Sequence, residues 1–142
     1  AMVVHVVLAS AIIAALTYVG ILAAGLDIGF DQVLAIHLMV TLLSIFVGGI
    51  AMVVSIVSGR GVVAILLAML VAVVMYAMSA FLPMAGNDFV NDLAWLSPWQ
   101  HFIATDPMGS GVDWASAALL AILAVIPPIV GVYLFKRRDV AA

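Results

Sequence analysis

The sequence predicts an all-α integral membrane protein, with four transmembrane helices plus short re-entrant or interfacial helices before the last span. Three observations predict it. Of 142 residues, 68% are hydrophobic and 8% are charged, with a mean hydropathy of +1.42. Globular domains run nearer half apolar and a quarter charged. A water-soluble fold of this length leaves too much area exposed to hide that surplus, so the surplus needs lipid. Four apolar stretches reach the ~20 residues that a helix needs to cross the hydrocarbon. When those stretches alternate in direction, all four basic residues fall on one side.

The stretches run over about 2–24, 33–57, 62–84 and 114–135, within a single transmembrane domain over 1–142. Backbone groups in lipid must be paired within their own segment, so each stretch reads as a helix. A Gly/Asp turn at 25–32 joins the first two, and Ser58-Gly59-Arg60-Gly61 joins the next two. A longer outer segment, 85–113, precedes the last. The amino terminus has no basic n-region or clear cleavage site, so it does not read as a secretory signal. Its start on Ala1, with no polar lead-in, suggests a piece of a longer chain.

Arg60, Lys136, Arg137 and Arg138 share one side, and Asp27, Asp31, Asp88, Asp92, Asp106 and Asp113 share the other. The Lys/Arg side is the cytoplasmic one, which places the carboxyl terminus inside and the protein in the plasma membrane. Trp95, Trp99 and Trp114 then collect on the outer side, as interfacial aromatics do. Asp31 and Asp113 stand where the N-caps of the second and fourth spans belong. Ala64, Ala68 and Ala72 recur every four residues, and Ser44 and Gly48 do the same beside Gly49. Small residues at that spacing let helix backbones approach closely, and Gly is costly in a helix unless close approach repays it.

No span carries Asp, Glu, Lys or Arg in its interior. Proton pumps, voltage sensors and ion-coupled carriers place such groups there, so a carrier working on a proton gradient alone is disfavoured. His5 and His37 sit near opposite faces, too far apart in depth to share one iron; His37 and His101 share the outer side. No Gly-rich loop with Lys for ATP is present, and no Ser/His/Asp or paired-carboxylate constellation follows from spacing. The chain is therefore expected to have no catalytic residues, no metal and no cofactor. Nothing basic enough for nucleic acid is present at a net charge of -3, and the absence of Cys rules out disulfides.

The outer segment is too apolar for a solvated loop. Phe89, Val90, Leu93, Trp95, Leu96, Trp99, Phe102 and Ile103 recur at near-helical spacing. Ser97-Pro98-Trp99-Gln100 fits a capping box, with Ser at N-cap, Pro at N1 and Gln at N3. A short helix is predicted from about 98 to 105, ended by Asp106-Pro107, with another before it near 88–95. The pattern leaves two readings open: helices dipping back among the spans, or lying flat at the interface. In the last span, Pro127 and Pro128 deprive the carbonyls of Leu123 and Ala124 of their usual partners and predict a helix kink.

The run Trp95-Leu96-Ser97-Pro98, then Asp106-Pro107, then Gly111-Val112-Asp113-Trp114, then an apolar helix ending Phe135-Lys136-Arg137-Arg138-Asp139-Val140, resembles the close of ABC-2 type transporter permeases. That family commonly ends on an "LSP…DP…G…W" segment, a final span and an "F-(K/R)-R-R-D" tail. The Gly48-Gly49 span followed by Ser58-Gly59-Arg60-Gly61 is similar to its penultimate region. The likeness covers about 33–140. It implies the transmembrane subunit of an ATP-driven exporter, here the carboxyl-terminal part, with these helices as spans three to six of six. It also implies a homo- or heterodimer with another permease, a separate ABC ATPase subunit, and re-entrant helices before the last span. Exported substrates in such a family are drugs, lipids or other hydrophobic or polymeric molecules. In this reading Ser97, Pro98, Trp99 and Phe102 form an outer gate, and Thr41, Ser44, Tyr76 and Ser79 are candidates to face the pathway. The plainer alternative is that Ser and Thr bond their own backbone or a neighbour. Two further readings stand beside the exporter: a haem- or quinone-binding redox subunit, which needs His37 and His101 together, and a small four-helix membrane scaffold.

Overall fold

The computed structural model describes residues 2–95, 97–103 and 105–140. Leu96 of the Leu-Ser-Pro motif lies outside the described residues, as do the side chains of Val90, Arg138, Asp139 and Val140. The described residues form α1 (Met2–Ala23), α2 (Phe30–Ser58), α3 (Gly61–Phe81), a 3-10 turn (Leu82–Ala85), α4 (Asp88–Trp95), α5 (Pro98–Ile103), α6 (Pro107–Ser110) and α7 (Trp114–Val140). Four of these stretches are long and apolar enough to cross a bilayer: Met2–Ala23, Phe30–Ser58, Gly61–Ala85 and Trp114–Arg137.

The radial pattern is that of a membrane bundle. In α3, Ala64 and Ala68 are buried while Ile65, Leu66, Met69 and Val73 are exposed. Water would drive the opposite arrangement, because burial of large apolar groups is what it rewards. Lipid makes no such distinction, so small residues collect where backbones meet. The chain is a multi-pass, all-helical membrane protein.

Helix α2 is the hub, packing against α1, α3 and α7. Its partnership with α7 is the most extensive, and the two run parallel. Met39 and Leu43 meet Ala117 and Leu120 near one end, Gly49 meets Pro127 and Pro128 in the middle, and Met52 meets Gly131 further on. α7 remains helical through both prolines, whose rings fill the space that Gly49 leaves. The α1 helix runs antiparallel to α2: Met2 lies against Gly48, Ser10 bonds to Thr41, and Tyr18 packs edge-on against Phe30 at 5.1 Å. Helices α2 and α3 reverse through Gly59, whose φ of 65° suits a residue without a Cβ and whose N–H donates to Ser55 O.

Several boundaries differ from the sequence expectation. α2 begins at Phe30, so Asp31 lies inside its first turn and is not the N-cap; Gly29 takes that place, and its N–H donates to Gln32 Oε1 at 2.9 Å. The charged Asp31 still suits the positive end of the helix dipole. α7 runs on to Val140 because charge ends a span, not a helix; there the guanidinium of Arg137 stacks 4.8 Å from the Tyr133 ring. Asp113 does cap α7, accepting from the N–H groups of Ala115 and Ser116.

Candidate functional site

The predicted short helices form at 88–95 and 98–103, the second two residues shorter than the spacing suggested. They do not stand apart from the bundle. α5 packs on α2, α3 and α7, and α6 packs on α2. The Ser97 hydroxyl is buried and donates to Met75 O of α3 at 2.8 Å while accepting the Trp99 N–H at 3.3 Å. Ser97 therefore both caps α5 and ties it to a span, a tie that the capping pattern alone did not reveal. Pro98 is fully buried beside it. Trp99 meets Tyr76 of α3 edge-on at 5.5 Å and Phe102 at 6.2 Å.

Trp99 and Phe102 also pack against the cluster of Met39, Leu43, Ala117 and Leu120. Leu43 stands about 20 Å along α2 from Phe30 at 1.5 Å rise per residue, so the aromatics of α5 reach well down the bundle. His101 is buried behind them; its Nε2–H donates to Trp95 O at 3.0 Å, and its ring stacks edge-on with Trp95 at 5.2 Å. Asp106, with a φ of 40° that Asp tolerates better than most residues, accepts the Gly109 N–H and starts α6.

Below this cap lies a cleft. A hollow of about 400 Å³ opens between α2, α3 and α5, lined by Val40, Ser44, Val47, Ala72, Trp99 and Phe102 among others. A second hollow of about 400 Å³ opens between α1 and α2, with Ser10, His37, Thr41 and Ser44 on its wall. Val40 and Ser44 line both. The two hollows thus share a floor on α2, between α1 on one side and α3 with α5 on the other.

Thr41 and Ser44 lie on this cleft, and Tyr76 reaches its edge through Trp99. Ser79 is buried and donates to Met75 O at 3.1 Å, away from the cleft lining. Ser44 had the spacing of a packing residue, yet it is exposed and donates to Val40 O at 2.7 Å. Sequence reasoning did not place Ser10 at a site, and weighed His37 only as a partner of His101 in a redox site. The signal was present: His37, Thr41 and Ser44 follow one another at four- and three-residue steps, which is one face of a helix. His37 and His101 each direct one ring nitrogen to a backbone carbonyl, of Val33 and Trp95 respectively. Among the described residues no group of three or more His, Cys, Asp or Glu stands ready for a metal. Compared with models of known protein families, with curated proteins and with solved structures, the chain matches none.

Proposed function

We propose that this chain forms the carboxyl-terminal membrane part of an ABC-2 type exporter permease, driven by a separate ATPase subunit and paired with a second permease. The observation that carries the reading is α5. A short helix hung from α3 by Ser97, with Trp99 and Phe102 inserted between α2, α3 and α7, closes one end of a cleft open along its side. Such a device suits an outer gate. Withdrawal of two aromatics held by edge contacts opens the cleft outward without breaking any backbone ladder of the spans. The lack of acidic or basic residues inside the spans supports an external energy source over a proton gradient. The orientation that fits is the one with Lys136 and Arg137 in the cytoplasm, beside the ATPase.

The test is purification from native membranes through a carboxyl-terminal tag in mild detergent. The reading expects a nucleotide-binding subunit to co-purify in stoichiometric amount, with ATP hydrolysis that falls at least tenfold when that subunit's Walker lysine is replaced. A preparation with no ATP-hydrolysing partner sinks it.

A further inference from the structure

We infer that the hollow between α1 and α2 is an intramembrane binding site for a neutral, lipid-soluble molecule carrying a hydroxyl group. This does not depend on ATP coupling. The hydrogen-bond donors on the wall of this hollow are already engaged. The His37 Nδ1 lies 2.8 Å from Val33 O, which only accepts, so the tautomer this bond selects carries its proton on Nδ1 and leaves Nε2 an acceptor. The Thr41 hydroxyl lies 2.6 Å from His37 O and in contact with the Ser10 hydroxyl, which itself lies 3.3 Å from His37 O. Whichever way the two protons turn, both are used within that trio. Ser44 spends its proton on Val40 O. The four polar side chains of the wall therefore offer lone pairs and no free donor.

An acceptor-only patch inside an apolar wall selects for a ligand that brings a donor, because buried polar groups without partners cost free energy. An ammonium would satisfy the lone pairs, but no Asp or Glu lines the hollow to balance its charge. A neutral hydroxyl meets both conditions. Val6, Ile13 and Ile36 supply apolar walls for the rest of the molecule, and the volume of about 400 Å³ suits one small ligand. Ser10 stands about 12 Å along α1 from Met2 at 1.5 Å per residue, so the ligand enters sideways from the hydrocarbon and not from water.

The test uses the chain in lipid nanodiscs with two photoreactive probes, a diazirine-bearing octanol and the diazirine-bearing octane of equal length. Labelled residues are mapped by mass spectrometry. The alcohol is expected to label the α1–α2 wall at least fivefold more than the alkane. Thr41→Val, and separately His37→Phe, should bring alcohol labelling down to the alkane level while alkane labelling stays unchanged. Unchanged alkane labelling also shows that each variant keeps the hollow. Equal labelling by both probes overturns the inference, as does a wall that neither probe reaches because another helix or a second copy covers it. A preference for the alcohol that survives in Thr41→Val and His37→Phe overturns it as well.

Discussion

Gly49 of α2 lies so close to Pro128 of α7 that a β-carbon at position 49 would stand 2.5 Å from Pro128 Cδ and 2.9 Å from Pro127 Cβ. Nothing flexible can give way there, because both neighbours are ring or backbone-bound carbons. Gly49→Ala is expected to force the parallel α2–α7 pair apart and to cost about 1–3 kcal/mol, the usual range for overpacking. Gly20 of α1 meets nothing within 4 Å, so Gly20→Ala should be neutral or stabilising. Thermal unfolding of both variants in the same detergent checks the contrast. Equal stability for the two would mean that the crossing is looser than it stands here.

Removing the Ser97 hydroxyl should release α5 without unfolding the spans. The group donates to Met75 O and accepts the Trp99 N–H, and it is almost wholly buried. Ser97→Ala is expected to cost about 1–2 kcal/mol locally. Hydrogen exchange should then quicken across 98–103 while the amides of α2 stay protected. Ser79→Ala removes only a bond to the residue four positions back on its own helix, and exchange in α5 should be unchanged.

These two sites show what could be read from sequence and what could not. The spans were legible because lipid imposes a length and a polarity that no other environment shares. The helix over 88–95 and the start of the next at Pro98 were legible from amphipathic spacing and from Ser97-Pro98. The Asp31 cap was misplaced because Gly29 lacks a side chain to advertise itself, while Gln32 does the capping from inside the helix. Spacing also put Ser44 and Gly49 in one group. In the structure Gly49 is buried against prolines and Ser44 faces a cleft. Period tells which residues share a face, not which helix that face will meet. The hollow at Ser10, His37 and Thr41 joins residues from two helices, and only their antiparallel register brings them together.

Asp113 should make the start of α7 acid-sensitive. Its carboxyl is held below the ordinary value of 3.8 by a hydrogen bond with the Ser116 side chain first. The Ala115 and Ser116 N–H groups and the nearby His101 add to that, and desolvation opposes it. A carboxyl whose folded pKa is depressed contributes stability above its unfolded pKa, and that contribution fades as pH falls through the folded value. The contribution is therefore complete at neutral pH and is lost below about 3.8. Asp113→Asn keeps a good cap and should flatten this acid limb of the unfolding curve with little change at pH 7. An acid limb identical in wild type and Asp113→Asn would assign the sensitivity to another group.

The distribution of charge predicts which end of the bundle faces the cytoplasm. The α2–α3 turn carries Arg60, and the end of α7 carries Lys136 and Arg137 beside Met52 and Ile56 of α2. Because α2 and α7 run parallel, these basic residues share one end, while Asp27, Asp88 and Asp106 fall in the connections at the other. Lys and Arg near span ends are retained on the cytoplasmic side, whereas Asp has little influence. The chain has no Cys, so single cysteines can be read without background. Lys136→Cys is expected to react with a membrane-impermeant maleimide only after the cells are opened, and Asp88→Cys to react in intact cells. Substituting Arg60 together with Lys136 and Arg137 by Gln should weaken that preference and produce chains labelled from both sides. Labelling of Lys136→Cys from outside intact cells would reverse the bundle, and would place α5 and its aromatics on the cytoplasmic side.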